Sequence, residues 1–262
     1  MADPVDELDQ IEDAVFDRLR RPVVTTALVG LVVVIHLVLG VIMWSRGQAG
    51  WLGVLVLERG PNLLVRCGAM RGPKIDEGEL WRLVSCVFLH GDGLHILLNA
   101  VALWALGRLC EALYGPARFL WLFLLSGICG ACFSWLGGNL SSVGASGGIF
   151  GLMGASIVFG WRYRHRLPEP MSVFLRRKLA PWVVLNLLIG AVIPFIDNLG
   201  HTGGLIGGCV LAMIIGNRVV PGEESPRWRR AGMAVISLAL MGTSGIAIRS
   251  AFIGRLIEWV LD

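Results

Sequence analysis

The chain has 262 residues, of which 55% are hydrophobic and 16% charged. That balance excludes a water-soluble globular domain and a disordered polymer. The net charge of +4 comes largely from Arg and Lys at the ends of apolar segments, where lipid headgroups lie, so it signals membrane lipids and not nucleic acid. A bilayer crossing needs about 20 apolar residues, and roughly seven segments of the chain are candidates.

Residues 1–22 are polar, with Asp3, Glu7, Asp9, Glu12 and Asp13 ahead of Arg18, Arg20 and Arg21. The acidic start does not fit a cleavable signal, and the pattern suits a short amphipathic helix in a cytoplasmic N-terminal segment. The expected spans then run from about Val23 to Trp44, Leu94 to Leu113, Phe119 to Leu136, Ser146 to Trp161, Leu179 to Phe195, Leu199 to Gly216 and Ala231 to Ile253. They define one all-α polytopic membrane domain over 23–253, with a tail at 254–262. The connection 45–93 is too long to be structureless. It holds Trp51, Leu55, Leu57, Leu63, Leu64 and the run Glu79-Leu80-Trp81-Arg82. This reads as short helices in the membrane interface, with Trp81-Arg82 as an interfacial anchor.

Of the six cysteines, Cys110, Cys129, Cys132 and Cys209 lie in or at the ends of spans and read as small packing residues. Cys67 and Cys86 share one extramembrane stretch, where a disulfide is possible if that side is oxidising. No Cys/His cluster has zinc spacing, so no metal is expected. Asn139-Leu140-Ser141 matches a glycosylation sequon but lies against the membrane and carries little weight. The basic loops Arg162–Lys178 and Arg218–Arg230 place the N-terminus in the cytoplasm and the C-terminus outside by the positive-inside rule. The absence of a targeting peptide suggests a bacterial plasma membrane.

Chemistry concentrates in three of the spans. The fourth opens with Gly144-Ala145-Ser146-Gly147-Gly148-Ile149-Phe150-Gly151. At 16 residues it is only about 24 Å long, which puts Ser146 below the surface in a water-filled recess. A serine hydroxyl is a poor nucleophile until a base takes its proton. His201, in Asn198-Leu199-Gly200-His201-Thr202-Gly203-Gly204, is a candidate base. An ionisable residue inside a span is costly and faces a cavity or a partner. His201, Gly204 and Gly208 share one helix face, and Gly147 and Gly151 smooth the fourth span, so the two helices can approach closely enough to join the pair. Asp197 is a possible third member of a triad, but its position suits the N-cap of the sixth span better. His95 and Asn99 share a face of the second span and, with the Ser146 N–H, can stabilise negative charge on a carbonyl oxygen. Their alternative is a structural interhelical hydrogen bond. His90 suits a supporting role in the recess wall, and His36 a packing role.

Together these residues resemble the rhomboid intramembrane serine proteases. The resemblance covers about Trp81 to Gly208. It rests on Trp81-Arg82, His90 with His95-Ile96-Leu97-Leu98-Asn99, Gly107 with Glu111 and Gly115, Gly144-Ala145-Ser146-Gly147, and His201 with Gly204 and Gly208. It implies a six-helix core, here with an additional C-terminal transmembrane helix, and no cofactor. It also implies a Ser146/His201 dyad without a catalytic aspartate, and an oxyanion site from Asn99, His95 and the Ser146 N–H. The implied partners are single-span transmembrane proteins, cut in or near the outer part of the bilayer after small residues. Gly200 departs from the alanine usual before the histidine. Substrate access is expected past the fifth span, whose Trp182, Leu185, Leu187 and Leu188 should pack against the second. The alternatives are a catalytically silent relative that binds membrane helices as a chaperone or retention factor, and a transporter or channel. A transporter would call for mid-span acids or lysines and repeat symmetry, which are not seen.

Overall fold

Proline and glycine mark several helix boundaries, among them Pro22 before one helix and Gly115-Pro116 between two others. A computed structural model describes residues 4–48, 50, 53, 60–139 and 141–222. The polytopic helical architecture expected from the sequence is present. Helix α1 spans Pro4–Leu19 and α2 Val23–Ser45. Next come α3 (Pro61–Arg66), β1 (Met70–Arg71), α4 (Gly72–Asp76), α5 (Arg82–Ser85), a 3-10 turn at Cys86–Phe88 and α6 (Gly93–Tyr114). The remainder is α7 (Pro116–Leu136), β2 (Ser141–Ser142), α8 (Ser146–Arg162), α9 (Glu169–Val173), α10 (Leu179–Val192) and α11 (Asn198–Ile214). The helix containing α2, together with α6 and α7, is long and apolar enough to cross a membrane. The expected span Ala231 to Ile253 and the tail 254–262 lie outside the described residues, as do Trp51, Leu55 and Leu57.

Helix α1 is amphipathic, as expected: Ile11 and Val15 are buried while Asp9, Glu12, Asp13 and Asp17 are exposed. Helix α2 starts after Pro22 with no side-chain cap of its own. Glu111 of α6 supplies one. Its carboxylate accepts from Val24 N at 3.0 Å, Thr25 N at 2.8 Å and Thr25 Oγ1 at 2.7 Å. A buried anion on the orphan amides of a helix start satisfies donors that lipid would leave bare. Gly107, one turn earlier, leaves room for the contact, since a Cβ there would lie 2.8 Å from Thr25 Cγ2. Gly115, at φ +84°, ends α6, and Pro116 starts α7 at once.

Helices α7, α8 and α11 form the inner packing unit. A methyl group on Gly204 would overlap the Gly147 carbonyl, and one on Gly208 the Gly151 carbonyl. This is the glycine-mediated approach of α8 and α11 expected from the sequence.

Four expectations need correction. Arg82 is no interfacial anchor: it is 1% exposed, donates to the carbonyls of Val65 and Ala69, and pairs with Glu79 at 2.6 Å. It ties the first connection together from inside, because a guanidinium can satisfy several backbone acceptors at once. That connection also contains a strand, with β1 antiparallel to β2 and Met70 opposite Ser142. Residues 169–192 are continuously helical through α9, a π turn at Phe174–Lys178 and α10, so the second half of the expected basic loop is ordered. Finally, Trp182, Leu185 and Leu188 are exposed rather than packed against α6. Val183 and Leu187 bear on Phe150, Met153 and Leu205, with Leu106 of α6 in the same cluster. Large apolar side chains facing lipid need no protein partner. Cys67 and Cys86 are separate, buried thiols, and His36 is buried on α2.

Candidate active site

Ser146 is the first residue of α8, and the chain leading into it is tightly held. Gly144 N donates to Cys86 O at 2.9 Å, and Ala145 N donates to His90 Nε2 at 3.4 Å. Gly144 has φ +127°, a backbone conformation open to glycine. A Cβ there would also lie 2.8 Å from His95 Nε2 and 3.7 Å from Ser146 Oγ. Position 144 therefore requires glycine on two counts.

His201 lies in the first turn of α11, and its Nε2 is 2.9 Å from Ser146 Oγ. The glycine contacts between α8 and α11 make that distance possible. Phe150, one turn along α8 from Ser146, stacks on the imidazole with ring centroids 4.3 Å apart and planes at 12°. The sequence reading missed Phe150. The available signal was its i+4 spacing from Ser146, which puts both on one face.

Asp197 sits at the N-cap of α11, as the sequence favoured. Its Oδ1 accepts from Gly200 N at 2.9 Å and from Asn139 Nδ2 at 2.7 Å. His201 Nδ1 is buried and has no hydrogen-bond partner among the described residues. The sequon asparagine thus has its amide engaged by other side chains of the protein.

His95 and Asn99 lie on α6, whose start is capped by Asp92 accepting from His95 N at 2.8 Å. His95 Nδ1 accepts from Gly91 N at 3.4 Å, so the neutral ring carries its proton on Nε2. That Nε2 is the atom beside Gly144. Asn99 is 7% exposed. Its Nδ2 donates to His95 O at 2.9 Å, one turn back on its own helix, and its Oδ1 is buried without a partner among the described residues. His90 meets the His95 ring edge-on at 5.1 Å. Burial, and then the neighbouring His95 and His36, holds His90 well below the ordinary imidazole range, which keeps it neutral and able to accept from Ala145 N.

Ser146 and His201 border a recess of about 20 Å³, lined also by Gly144, Gly147, Gly200 and Asp197, whereas His90, His95 and Asn99 are not part of its lining. That volume holds about one water molecule. Among the described residues no group of His, Cys, Asp and Glu is placed to hold a metal ion. The arrangement is a hydroxyl in contact with an imidazole, with further N–H donors close by. Such a set can perform acyl transfer.

Comparison with known proteins covers the same stretch of chain. The rhomboid domain family model matches residues 77–218, a stretch that contains His90, His95, Asn99, Ser146 and His201. The Bacillus subtilis (strain 168) protein "Rhomboid protease GluP" is 38% identical over 156 residues, 58% of this chain and 29% of its own length. "RHOMBOID-like protein 5" of Arabidopsis thaliana is 35% identical over 178 residues, covering 64% of this chain and 55% of that protein. "Rhomboid protease AarA" of Providencia stuartii is 31% identical over 158 residues, 52% of this chain and 56% of that one. The matched region spans about half or less of these relatives' lengths.

Proposed function

The chain belongs to the rhomboid family of integral membrane proteins, and from that premise we propose that it is a serine-type intramembrane endopeptidase. Its substrates are single-span transmembrane proteins, cut in or near the outer part of the bilayer. The observation that carries the proposal is the 2.9 Å contact between Ser146 Oγ and His201 Nε2.

In this reading His201 Nε2 takes the proton as Ser146 Oγ bonds to the scissile carbonyl carbon. The tetrahedral adduct then collapses, the C–N bond breaks, and the same imidazole returns the proton to the leaving amine. Water repeats the sequence on the acyl-enzyme, with His201 again the base. Phe150 holds the imidazole plane, the task a carboxylate performs in a triad. His95 Nε2–H, the Ser146 N–H and the Asn99 amide stabilise the oxyanion. His90 and Gly144 hold the chain before Ser146, while Gly147, Gly204 and Gly208 hold α8 against α11. The basic residues between α8 and α10 and after α11 support a cytoplasmic N-terminus, and in that orientation Ser146 lies near the outer face. The experiment that tests this function is labelling by a fluorophosphonate probe. Wild type should be modified at Ser146 and Ser146→Ala left unlabelled; an unmodified wild type rejects the activated serine.

The Asn99 amide is engaged with His95 O in the free protein, so its role as donor requires its second N–H or a turn of the side chain. Asn99→Ala is expected to lower kcat by about 10²–10³-fold while leaving KM and the melting temperature near wild type. A variant that unfolds, or one with unchanged kcat, would assign Asn99 to structure alone.

A further inference from the structure

We propose, building on the protease reading above, that Asp197 sets substrate preference by accepting a hydrogen bond from the residue on the N-terminal side of the scissile bond. The favoured residue there is a small donor, serine foremost.

The recess beside the nucleophile has walls that leave no room for expansion. A Cβ on Gly130 would lie 2.5 Å from Gly200 O, and one on Gly127 would lie 3.0 Å from Val87 Cγ2. Both glycines line the recess, as does Ala131. Its volume of about 20 Å³, room for about one water-sized group, accepts only the smallest side chains. Size alone would therefore admit glycine, alanine, serine and cysteine alike.

Asp197 breaks that tie. Its Oδ1 takes both protein donors, Gly200 N and Asn139 Nδ2. Its Oδ2 is buried and has no hydrogen-bond partner among the described residues. That oxygen lies 2.7 Å from where a Gly200 Cβ would stand, and Gly200 and Asp197 are both part of the recess wall. A buried acceptor without a donor is unfavourable, and a ligand hydroxyl of the right reach relieves it. Ser146 lines the same recess, so the side chain next to the attacked carbonyl is the one that enters it. A serine there meets the free oxygen, whereas an alanine fills the space and leaves the oxygen unpaired. Sites built to bond a substrate hydroxyl discriminate strongly against the analogue that lacks it.

The test uses the full chain in liposomes with one single-span substrate carrying Gly, Ala, Ser, Cys or Val before the cleaved bond. Serine is expected to exceed alanine in kcat/KM by about 10-fold or more, and valine to be refused. Asp197→Ser keeps a cap for Gly200 N but offers no second oxygen, so the serine-to-alanine ratio should fall towards one. A merely structural role would lower both substrates together and leave the ratio intact. A wild-type ratio near one, or a ratio unchanged in an active Asp197→Ser, overturns the proposal. Should Asp197→Ser lose both activities, the wild-type ratio decides by itself. Failure of wild type to cleave any of the five substrates would instead remove the protease reading, and this preference with it.

Discussion

Ser146→Ala, His201→Ala and the double variant should cleave a membrane substrate at one common rate, on the order of 10⁴-fold or more below wild type. The expectation follows from the geometry of the pair. The hydroxyl and the imidazole touch at 2.9 Å, while Asp197 caps α11 through Oδ1, which accepts from Gly200 N and Asn139. A nucleophile without its base, or a base without its nucleophile, leaves the same residual site, so the losses should coincide rather than multiply. Acidification should abolish wild-type activity as well, because an imidazolium has no lone pair to accept the serine proton. Rates measured under single-turnover conditions check the claim. Losses that multiply in the double variant would mean that Ser146 and His201 act independently.

The second large effect is steric. Gly204→Val should disable the enzyme from a position that takes no part in the chemistry. Even a methyl group at Gly204 would overlap the Gly147 carbonyl, which belongs to the residue after the nucleophile. Helix α11 must then move away from α8 and carry His201 with it. A displacement of about 1 Å between reacting groups costs on the order of 10²-fold in rate, and overpacking costs about 1–3 kcal/mol of stability. Ile206→Ala, at an exposed position on the same helix, is the control and should leave rate and melting temperature near wild type. Full activity in Gly204→Val would show that the close approach of α8 and α11 does not position the dyad.

The parts of the structure legible beforehand are those where one residue type has few uses. Proline and glycine at Pro116, Gly115 and Pro22 mark helix boundaries because of what they do to the backbone. Ser146 and His201 stand out because polar groups in apolar helices need partners, and the glycines on both helices indicated how they meet. Asp197 read correctly as a cap because Asp at a helix start has a local donor to satisfy. Phe150 was hidden, since an aromatic residue in an apolar helix looks like any core residue until its neighbour is known. The β1–β2 pairing was hidden because two residues are too short for a strand pattern. Arg82 misled in the other direction: a charged residue beside Trp81 suits a headgroup position, and only the fold shows the carbonyls of Val65 and Ala69 converging on it. The same limit applies to α10. Its apolar residues could face protein or lipid, and hydrophobicity does not distinguish the two surroundings.

The most direct test of the central claim is cleavage of a single-span membrane protein by the purified chain in liposomes, with the cut bond located by mass spectrometry. Wild type should cut at a bond in or near the outer part of the bilayer, and Ser146→Ala, still inserted and folded, should not. Undiminished cleavage by Ser146→Ala would contradict the account.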